Sequence, residues 1–584
     1  MDISRRKALG LFAGAAGGAG LAGCAAGRAM TDVYSAGLSP VGVSFDHGVA
    51  SGDAMQDRVV LWTRVTPERP TTEQIPVMVY HSPDRAAVEA LETGSLDTAD
   101  MVSFQGLKTG QGRDYTVKID LKALQADTEF YYRFAVETPD GMVFSPIGKT
   151  RTLPVSGGDE LKLGVISCSN YPFGYFNVYK AMAERGDLDA IIHLGDYIYE
   201  YGIDGYGAEM GEALNRRHDP VTEIVTLDDY RARHRQYKAD ANLQAAHAVC
   251  PWYCTWDDHE SANDSYRTGA QNHNPENGEG DWTDRKQVAV QAYLEWMPVR
   301  DPEPGRAKES IYRSVDFGDL VSIFMLESRL TGRSEEISWF TELADVEEKD
   351  IPAKAMETMA RVASPSRTML GDVQEGWLAD GLARSAQEGK TWQLLANQVI
   401  ISTVKLPNFM AVLSPEELQL MPEGFGRLMV QFSQLGLPFN LDAWDGFPAA
   451  RERLFAAAKQ SGARLVTITG DTHTAWANEP HSMDGTQIGV EFGCTSVTSP
   501  GLGQSIPLPN LGPLMADANE DVTWFDPFGH GYTLLTLSKD KARADFFKVS
   551  TIESETFETD LVASFEAEPV EGGISPLRQV QTSS

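Results

Sequence analysis

Apolar residues in the first part of the chain come in short runs that are separated by turn sequences. β-Branched and aromatic residues dominate the runs at 59–65, 75–80 and 130–136, and Thr-Pro-Asp-Gly at 138–141 is a strong turn signal. Short strands at this spacing, with no long helical period between them, are typical of a β-sandwich. We therefore predict an N-terminal all-β sandwich domain over residues 40–155.

The hydrophobic pattern changes after Gly157-Gly158, where near-continuous apolar strands begin to alternate with helical periods. Apolar strands between helices indicate an α/β fold whose sheets are covered by helices, and we assign this fold to residues 160–560. The predicted strands lie at 161–168, 188–195, 252–256, 320–326, 392–398 and 464–470, and the predicted helices at 175–185, 227–247 and 448–461.

Polar segments interrupt the α/β pattern. The polar or acidic stretches at 265–285 and 332–366 are predicted surface insertions. We expect the segments 332–366 and 403–440 to line or cover the entrance to a site, where specificity differs among related proteins. Residues 565–584 are predicted to form a flexible tail.

The first residues have the features of an export signal. Arg5-Arg6 precedes a Gly- and Ala-rich apolar run that is too short and too weakly apolar for a transmembrane helix. We therefore predict a twin-arginine (Tat) signal peptide over residues 1–23, although Ala8 stands where the Tat pattern prefers Phe. Leu21-Ala22-Gly23-Cys24 resembles a lipobox, in which Cys24 becomes a lipidated N-terminus. The expected partners are the Tat machinery and, through Cys24, a membrane, and the expected location is the periplasm or the cell surface.

The charge of the chain excludes one class of partner. The 83 acidic residues outnumber the 50 basic ones, which gives a formal net charge of -33. Such a surface repels polyanions, so we expect no nucleic-acid-binding surface. A small anionic substrate remains compatible with this charge if bound cations make the site locally positive.

The cysteines do not form a disulfide framework, because there are only 5 of them in 584 residues. Cys250 and Cys254 are close enough in sequence to bridge in some turn geometries, and a reduced pair on either side of Trp252 fits equally well. The sequence leaves both states open.

Residues able to bind metal or stabilise an anion follow five of the predicted strands. In an open α/β sheet, ligands bind beyond the carboxyl ends of the strands, so these loops are expected to converge on one cleft. A Gly-Asp or Asp-x-His pair alone is a weak signal, whereas five such loops in one domain are a strong one. The loops are Ser167–Asn170, Gly195–Tyr199, Trp256–Glu260, Asn397–Gln398 and Gly470–His473.

These motifs resemble those of a known family. Cys168, His-Leu-Gly-Asp-Tyr-Ile-Tyr-Glu-Tyr at 193–201, Trp-Asp-Asp-His-Glu at 256–260 and Gly-Asp-Thr-His-Thr-Ala-Trp at 470–476 are together similar to the alkaline phosphatase D (PhoD-like) family of the metallophosphoesterase superfamily. Supporting matches lie at 47–53, 442–451 and 491–501, and the resemblance covers roughly residues 45–550. It implies a layered α/β sandwich of sheets flanked by helices, preceded by a fibronectin-III-like sandwich, and a phosphoester hydrolase.

The resemblance also implies a set of metal ligands. Asp196 has two carboxylate oxygens and can bridge two cations, and the phenol of Tyr199 ionises only beside a strong Lewis acid such as Fe(3+). The resemblance implies Fe(3+) and Ca(2+) as cofactors and leaves other divalent metals open, and the carboxylates are suitable hard ligands for Ca(2+). Cys168 replaces the first Asp-x-His of the usual superfamily pattern, and Asn397 lies where many relatives have a histidine. The implied ligands are Cys168, Asp196, Tyr199, Asp258, Asn397, Asp471 and His473.

Two further residues are predicted to act on the substrate. His259 is expected to stabilise the transition state or to protonate the leaving oxygen while a metal-activated hydroxide attacks phosphorus. Arg329 is expected to clamp a phosphate bidentately, although Glu327-Ser328-Arg329 differs from the Asp-Thr-Arg that the family usually has. The expected substrates are small phosphoesters or phospholipids, and we expect a monomer.

Three alternative functions remain open at this stage. The first is a phosphodiesterase or phospholipase D-like enzyme that acts on lipids or cell-wall polymers, and the second is a non-catalytic surface binding protein. The third, a Ser-His-Asp hydrolase, is disfavoured because no Gly-x-Ser-x-Gly elbow lies between a strand and a helix. The natural substrate, and the choice between monoester and diester, cannot be read from the sequence.

Overall fold

The computed structural model describes residues 36–92, 102–422 and 425–580. The predicted signal peptide at 1–23 and the predicted lipidation site Cys24 lie outside these ranges. Within the described ranges, no helix has both the length and the apolar composition that crossing a membrane requires.

The N-terminal part is built almost entirely from strands, as the sequence predicts, with one short helix α1 (Arg85–Glu89). In chain order the strands are β1 (Val43–Ser44), β2 (Val49–Gly52), β3 (Arg58–Arg64), β4 (Thr66–Pro67), β5 (Ile75–Ser82), β6 (Ser103–Thr109), β7 (Thr116–Lys122), β8 (Glu129–Thr138), β9 (Gly141–Phe144) and β10 (Gly148–Arg151).

The rest of the chain alternates strands with helices and then ends in antiparallel strands. The strands are β11 (Glu160–Ile166), β12 (Ala190–His193), β13 (Trp252–Cys254), β14 (Arg313–Phe317), β15 (Val321–Met325), β16 (Trp392–Ala396), β17 (Leu465–Thr469), β18 (Ala475–Asn478), β19 (Gly489–Gly493), β20 (Val522–Asp526), β21 (His530–Ser538), β22 (Ala542–Val549), β23 (Thr559–Ala567), β24 (Pro569–Val570), β25 (Gly573–Ile574) and β26 (Arg578–Gln579).

Helices lie between these strands. They are α2 (Asn177–Arg185), α3 (Ala208–Ala213), α4 (Leu227–Lys238), α5 (Ala241–Val249), α6 (Trp282–Trp296), α7 (Trp339–Leu343), α8 (Ile351–Val362), α9 (Asp372–Gln387), α10 (Phe409–Val412), α11 (Pro415–Leu418), α12 (Phe425–Ser433), α13 (Pro448–Ser461), α14 (Leu502–Ser505) and α15 (Leu511–Ala518).

Two large sheets pack against each other and form the centre of the molecule. One has ten strands in the order β26-β23-β22-β21-β11-β12-β13-β2-β3-β7, and the other has seven in the order β14-β15-β16-β17-β19-β18-β20. Ile192 and Leu394 belong to one apolar cluster between the sheets. On the outer faces, Ile191 packs with α2 residues such as Met182, and Leu395 packs with α9 and α13. This layered α/β sandwich confirms the predicted fold class.

The N-terminal strands form the predicted sandwich, but one of its two sheets continues into the α/β part. A five-stranded sheet (β10-β8-β5-β6, with β9 on β8) packs against β2, β3 and β7 in a shared apolar cluster. However, β2 also pairs in parallel with β13, where Trp252 faces Gly52. Strands β2, β3 and β7 therefore extend the ten-stranded sheet, so the two parts share one sheet as well as one cluster of buried side chains.

Two predicted elements differ from the structure. The single helix expected at 227–247 is two helices, because Asp240 interrupts it and caps α5 by accepting hydrogen bonds from the backbone N–H groups of Asn242 and Leu243. The prediction of a flexible tail over 565–584 was wrong for its described part: β26 pairs with β23, and Phe565 and Ile574 are buried in the apolar cluster between the sheets. Residues 581–584 lie outside the described ranges.

The insertions and the cysteine pair can also be placed. The segments 332–366 and 403–440 contain α7, α8 and α10 to α12 and pack on each other, with the rings of Trp339 and Phe432 5.1 Å apart. Cys250 and Cys254 are both buried and free, so the pair is not bridged.

Candidate metal centre

The loops that follow the central strands meet at one end of the two sheets. Cys168 after β11 donates its backbone N–H to the carbonyl of Gly195 after β12 at 3.1 Å. In the other sheet, Gly470 after β17 donates to the carbonyl of Gln398 after β16 at 2.8 Å. Because these strands are parallel, their carboxyl ends face the same way, and their polar side chains lie together.

Three overlapping groups of side chains have spacings that suit metal ions. In each group the ligand atoms lie within 4.8 Å of one another. Two groups share Asp196 and two share Asp258, so together they form one continuous cluster, and the bridging role of Asp196 stays a prediction. The groups are Cys168, Asp196 and His473; Asp196, Asp258 and His259; and Asp257, Asp258 and Asp471.

Tyr199 belongs to the same centre. Its phenol oxygen lies 3.0 Å from Asp196 Oδ2 and 3.4 Å from His473 Nε2. Burial, and then the neighbouring Asp196 and Cys168, raise the pKa of Tyr199 well above its ordinary value. The protein alone therefore keeps the phenol protonated, and a strongly Lewis-acidic cation would be needed to ionise it.

Four of the predicted ligands have a backbone conformation that is costly for residues other than glycine. The φ angles are positive at Cys168 (60°), Asp196 (57°), Asp471 (65°) and His473 (59°). Non-glycine residues in this region cost of order 1–3 kcal/mol each and persist where the surrounding structure imposes them, often at functional sites. All four residues belong to the groups of side chains with metal-compatible spacing.

The donor set fits bound cations. Burial, and then nearby carboxylates, raise the pKa of Asp196 and of Asp471 well above the usual range, and the buried Asp196 Oδ1 has no hydrogen-bond partner. Burial lowers the pKa of His473 to about 4, so its imidazole is neutral. Its Nδ1 lies 2.9 Å from the carbonyl of Pro500 and must donate to it, which leaves the Nε2 lone pair for a metal.

His259 lies at the edge of this centre and is oriented by a carboxylate. Its Nδ1 is 2.7 Å from Oε2 of the fully buried Glu200, and its side chain is only 9% exposed. Burial alone would lower the pKa of His259, but Asp258, Glu200 and Asp196 raise it above its ordinary value. The bond to Glu200 favours the protonated form of His259 and holds its ring beside Asp196 and Asp258.

Arg329 is fully buried among carboxylates rather than open to a substrate. Its Nε contacts Asp257 Oδ1, and its Nη1 donates to Asp442 Oδ1 at 2.8 Å. Its Nη2 lies 3.5 Å from Asp471 Oδ1 and 3.9 Å from Asp258 Oδ1 and has no hydrogen-bond partner. The guanidinium therefore offsets the negative charge of the carboxylates around it. The phosphate clamp stays a prediction, and Nη2 is the nitrogen that has no hydrogen-bond partner in the protein to compete with a phosphate.

Comparison with known proteins identifies the family. Residues 163–546, more than half of the chain, match the family model "PhoD-like phosphatase", and residues 33–154 match "PhoD-like phosphatase, N-terminal domain". The chain belongs to the PhoD-like phosphatase family. Its enzyme class, the phosphoric ester hydrolases, agrees with the sequence prediction.

Individual relatives of this family match over most of their length. The chain is 32% identical to alkaline phosphatase D of Bacillus subtilis (strain 168) over 513 residues, which cover 86% of this chain and 77% of the relative. It is also similar to the solved structure of PhoD, with a TM-score of 0.71, 28% identity and coverage of 93% of each chain.

Asn397 is a predicted ligand whose side chain has no hydrogen bond to the other predicted ligands in the described part of the chain. Its Nδ2 donates to the carbonyl of Val399 at 2.5 Å, whereas its Oδ1 is buried without a hydrogen-bond partner. An amide oxygen without a partner at the end of β16 is available to a cation. Its role as a ligand stays a prediction.

The sequence assigned no role to three residues that hold the ligands in place. Glu260 accepts hydrogen bonds from the backbone N–H groups of Asp196 (3.1 Å) and Tyr197 (2.6 Å), and so ties two of the loops together. Ser499 Oγ lies 2.7 Å from the phenol oxygen of Tyr199. Glu200 is the third. All three lie within the motifs at 193–201, 256–260 and 491–501 that resemble those of the family. Their position in these motifs is the feature of the sequence that could have indicated a role.

Proposed function

We propose that this PhoD-like phosphatase is an exported, metal-dependent phosphoester hydrolase that acts on phosphomonoesters, phosphodiesters or both, and releases phosphate from the monoesters. The observation that carries the proposal is the mixed donor set: a thiol, a phenol and an imidazole (Cys168, Tyr199 and His473) share Asp196 with a second, carboxylate-rich group. Phosphoryl transfer needs charge neutralisation and positioning more than covalent catalysis, and such a centre provides both.

The two halves of the centre favour different cations. Cys168, Tyr199, His473 and Asp196 would hold Fe(3+), because thiolate, phenolate and imidazole suit a trivalent or softer metal. Asp258 and Asp471, with Asn397, would hold Ca(2+), which prefers oxygen ligands. When bound, these cations supply the Lewis acidity that lowers the pKa of water and neutralises phosphoryl oxygens.

The chain's own residues direct the protons and the charge. Glu200 accepts a hydrogen bond from Nδ1 of His259 and keeps Nε2 turned toward the centre, where His259 protonates the leaving oxygen. Arg329 offsets the charge of Asp257, Asp442 and Asp471 and stops the carboxylates from repelling an anionic substrate. The Tyr199 ring packs 4.2 Å from that of His259 and holds it in place.

The metal assignment is tested by elemental analysis together with visible spectroscopy of the purified enzyme. We expect iron, calcium and a phenolate–Fe(3+) charge-transfer band that Tyr199→Phe removes together with most of the activity. The control is Tyr201→Phe, which deletes a phenol in the same motif and should keep the band. An active, colourless enzyme that contains only zinc would contradict the iron assignment.

Kinetics decide the substrate class. A phosphomonoester and a phosphodiester are compared on the metal-loaded enzyme and after treatment with a chelator, which we expect to abolish hydrolysis of both. Preference for a phospholipid or a cell-wall polymer would favour the alternative function, a phosphodiesterase or phospholipase D-like enzyme. If the metal-loaded protein hydrolyses no phosphoester, the alternative of a non-catalytic surface binding protein would be favoured.

Export and anchoring are proposed from the first residues of the chain alone. Arg5-Arg6 is proposed to direct the folded protein to the Tat machinery, and Cys24 to carry a lipid. Cell fractionation and mass spectrometry of the mature N-terminus test both steps. We expect Cys24→Ser to release the protein from the membrane fraction, and Arg5→Lys with Arg6→Lys to retain it in the cytoplasm.

A further inference from the structure

Aromatic rings form one side of the metal centre. Tyr206 packs on Phe173 with ring centroids 4.8 Å apart and on Tyr201 at 5.8 Å, and the Tyr201 ring lies 5.5 Å from that of His259. We call Phe173, Tyr201 and Tyr206 the aromatic wall. Tyr206 is 36% exposed, and Phe173 and Tyr201 are partly exposed, so the wall has a face that a ligand can reach.

The aromatic wall lies close to the predicted ligands. The rings of Tyr206 and Tyr199 are 6.3 Å apart. Burial, and then the nearby Cys168 and Asp196, raise the pKa of Tyr206, which is consistent with a position within electrostatic range of both ligands. His259 lies with Asp196 and Asp258 in one group of possible metal ligands, and its ring is 5.5 Å from that of Tyr201. A group that leaves toward His259 therefore departs beside the wall.

The surroundings of Asp258 have the opposite character. Asp264 donates its backbone N–H to Asp258 Oδ2 at 2.6 Å, and its carboxylate lies within 4.8 Å of those of Glu336 and Asp442. These carboxylates make the surroundings of Asp258 acidic, while the aromatic wall offers flat, weakly polar faces. The centre is therefore bordered by acidic residues near Asp258 and by aromatic residues near His259.

We propose that the aromatic wall binds the leaving group and favours phosphoesters whose leaving group carries a flat ring, of which a nucleoside monophosphate is an example. The inference rests on the proposed phosphoester hydrolysis and deepens it. A ring stacked on Tyr206 excludes water from the two ring faces that are in contact. Stacking of a base on an aromatic side chain commonly raises the binding affinity about tenfold or more. Because the stacked ring stays attached until the bond to phosphorus breaks, the preference is expected in kcat/KM.

The test compares two substrates that share the bond to be broken. Adenosine 5′-monophosphate and 1-O-methylribose 5-phosphate both release a primary alcohol, and only the first carries a base. We expect the wild-type enzyme to prefer the nucleotide, and Tyr206→Ala to lower kcat/KM for the nucleotide about tenfold while changing that for the methyl riboside phosphate less than about twofold. Unchanged activity on the second substrate also reports correct folding.

Two controls separate stacking from other effects. Tyr206→Phe keeps the ring and should keep the preference, and Tyr131→Ala removes a tyrosine from β8 in the N-terminal sheet and should alter neither substrate. Equal loss on both substrates in Tyr206→Ala, or equal wild-type rates on both, overturns the proposal. If the wild type cleaves 4-nitrophenyl phosphate, such a result leaves the proposed function standing; if it cleaves no phosphoester, the proposed function fails first.

Discussion

Glu200 and His259 illustrate, at the scale of single residues, how a buried partner prepares a catalytic group. Glu200 is fully buried, yet its carboxylate accepts hydrogen bonds from the backbone of Asn263 and the side chain of Asn272, both at 2.8 Å, in addition to His259. Burial raises the pKa of Glu200, but the charge of His259 and then these hydrogen bonds lower it below its ordinary value. An ionised Glu200 in turn favours the protonated form of His259.

Glu200→Gln should lower kcat about 10- to 100-fold with a small change in KM, because the metal ligands are untouched and only the proton donor is disturbed. The substitution removes a negative charge and so lowers the pKa of His259. A lower pKa means that the proton is lost at lower pH, and the alkaline limb of the kcat–pH profile should move to lower pH. Steady-state kinetics across the pH range measure both effects.

The matched control for this charge deletion is Glu89→Gln. Glu89 is exposed and pairs with Arg85 on the short N-terminal helix, so its substitution should leave the profile unchanged. An alkaline limb that stays in place in Glu200→Gln would show that His259 is not the proton donor.

The surroundings of Arg329 could not be predicted from the sequence. The position of an arginine after a strand end suggested a phosphate clamp, because bidentate guanidinium–phosphate pairs are common. The structure buries it fully and in contact with four carboxylates, and the clamp itself stays a prediction. Whether a strand-end arginine faces the cleft or the protein depends on carboxylates that come from distant segments.

At the scale of elements, the hydrophobic pattern located the six strands that it named in the α/β part and two of the three helices that it named there. The helix predicted at 448–461 matches α13, and the strand predicted at 252–256 contains β13. The prediction of one helix over 227–247 was wrong because the segment is divided into two helices at Asp240. Asp240 is a strong N-cap, but the apolar period continues on both sides of it, so the period alone predicts one helix.

Asp240→Ala tests the break between α4 and α5. It removes the acceptor for the backbone N–H groups of Asn242 (3.0 Å) and Leu243 (3.3 Å). Loss of an N-cap typically costs about 1 kcal/mol, so amides in the first turns of α5 should exchange with solvent about fivefold faster by hydrogen-exchange mass spectrometry. Asp228→Ala, a 92% exposed side chain in the first turn of α4, is the control and should leave α5 unchanged. Equal protection of α5 in both variants would rule out the capping role.

At the scale of the whole molecule, the ten-stranded sheet joins the N-terminal strands to the α/β part. Gly52 lies at the junction, where an added Cβ would come within 2.2 Å of the Pro298 carbonyl oxygen and 2.7 Å of that of Trp252. Only a residue without a side chain allows β2 to approach β13 this closely. The two parts share both a sheet and a buried cluster, so we expect them to unfold in one calorimetric transition.

Gly52→Ala should lower the midpoint of that transition. Overpacking against backbone costs about 1–3 kcal/mol, which corresponds to about 1–3 °C for a chain of this size. Gly376→Ala is the control, because nothing lies within 4 Å of the added Cβ in the middle of α9. Its midpoint should be equal or slightly higher. Two separate transitions in the wild type would contradict the shared sheet as the unit of stability.

The sequence by itself determined the fold class, the family and the loops that come together beyond the strands. Buried strands are near-continuous apolar runs, and the polar residues that follow them are adjacent in sequence, so Asp196, Asp258 and His473 could be selected by local pattern. Only the tertiary structure decided which side chains touch. Glu200 and His259 are 59 residues apart and Tyr199 and Ser499 are 300 apart, and such contacts depend on how strands pair and loops close. The same holds for the burial of Arg329, the joining of β2 to β13 and the pairing of the C-terminal strands, because burial and strand pairing are properties of the assembled sheets.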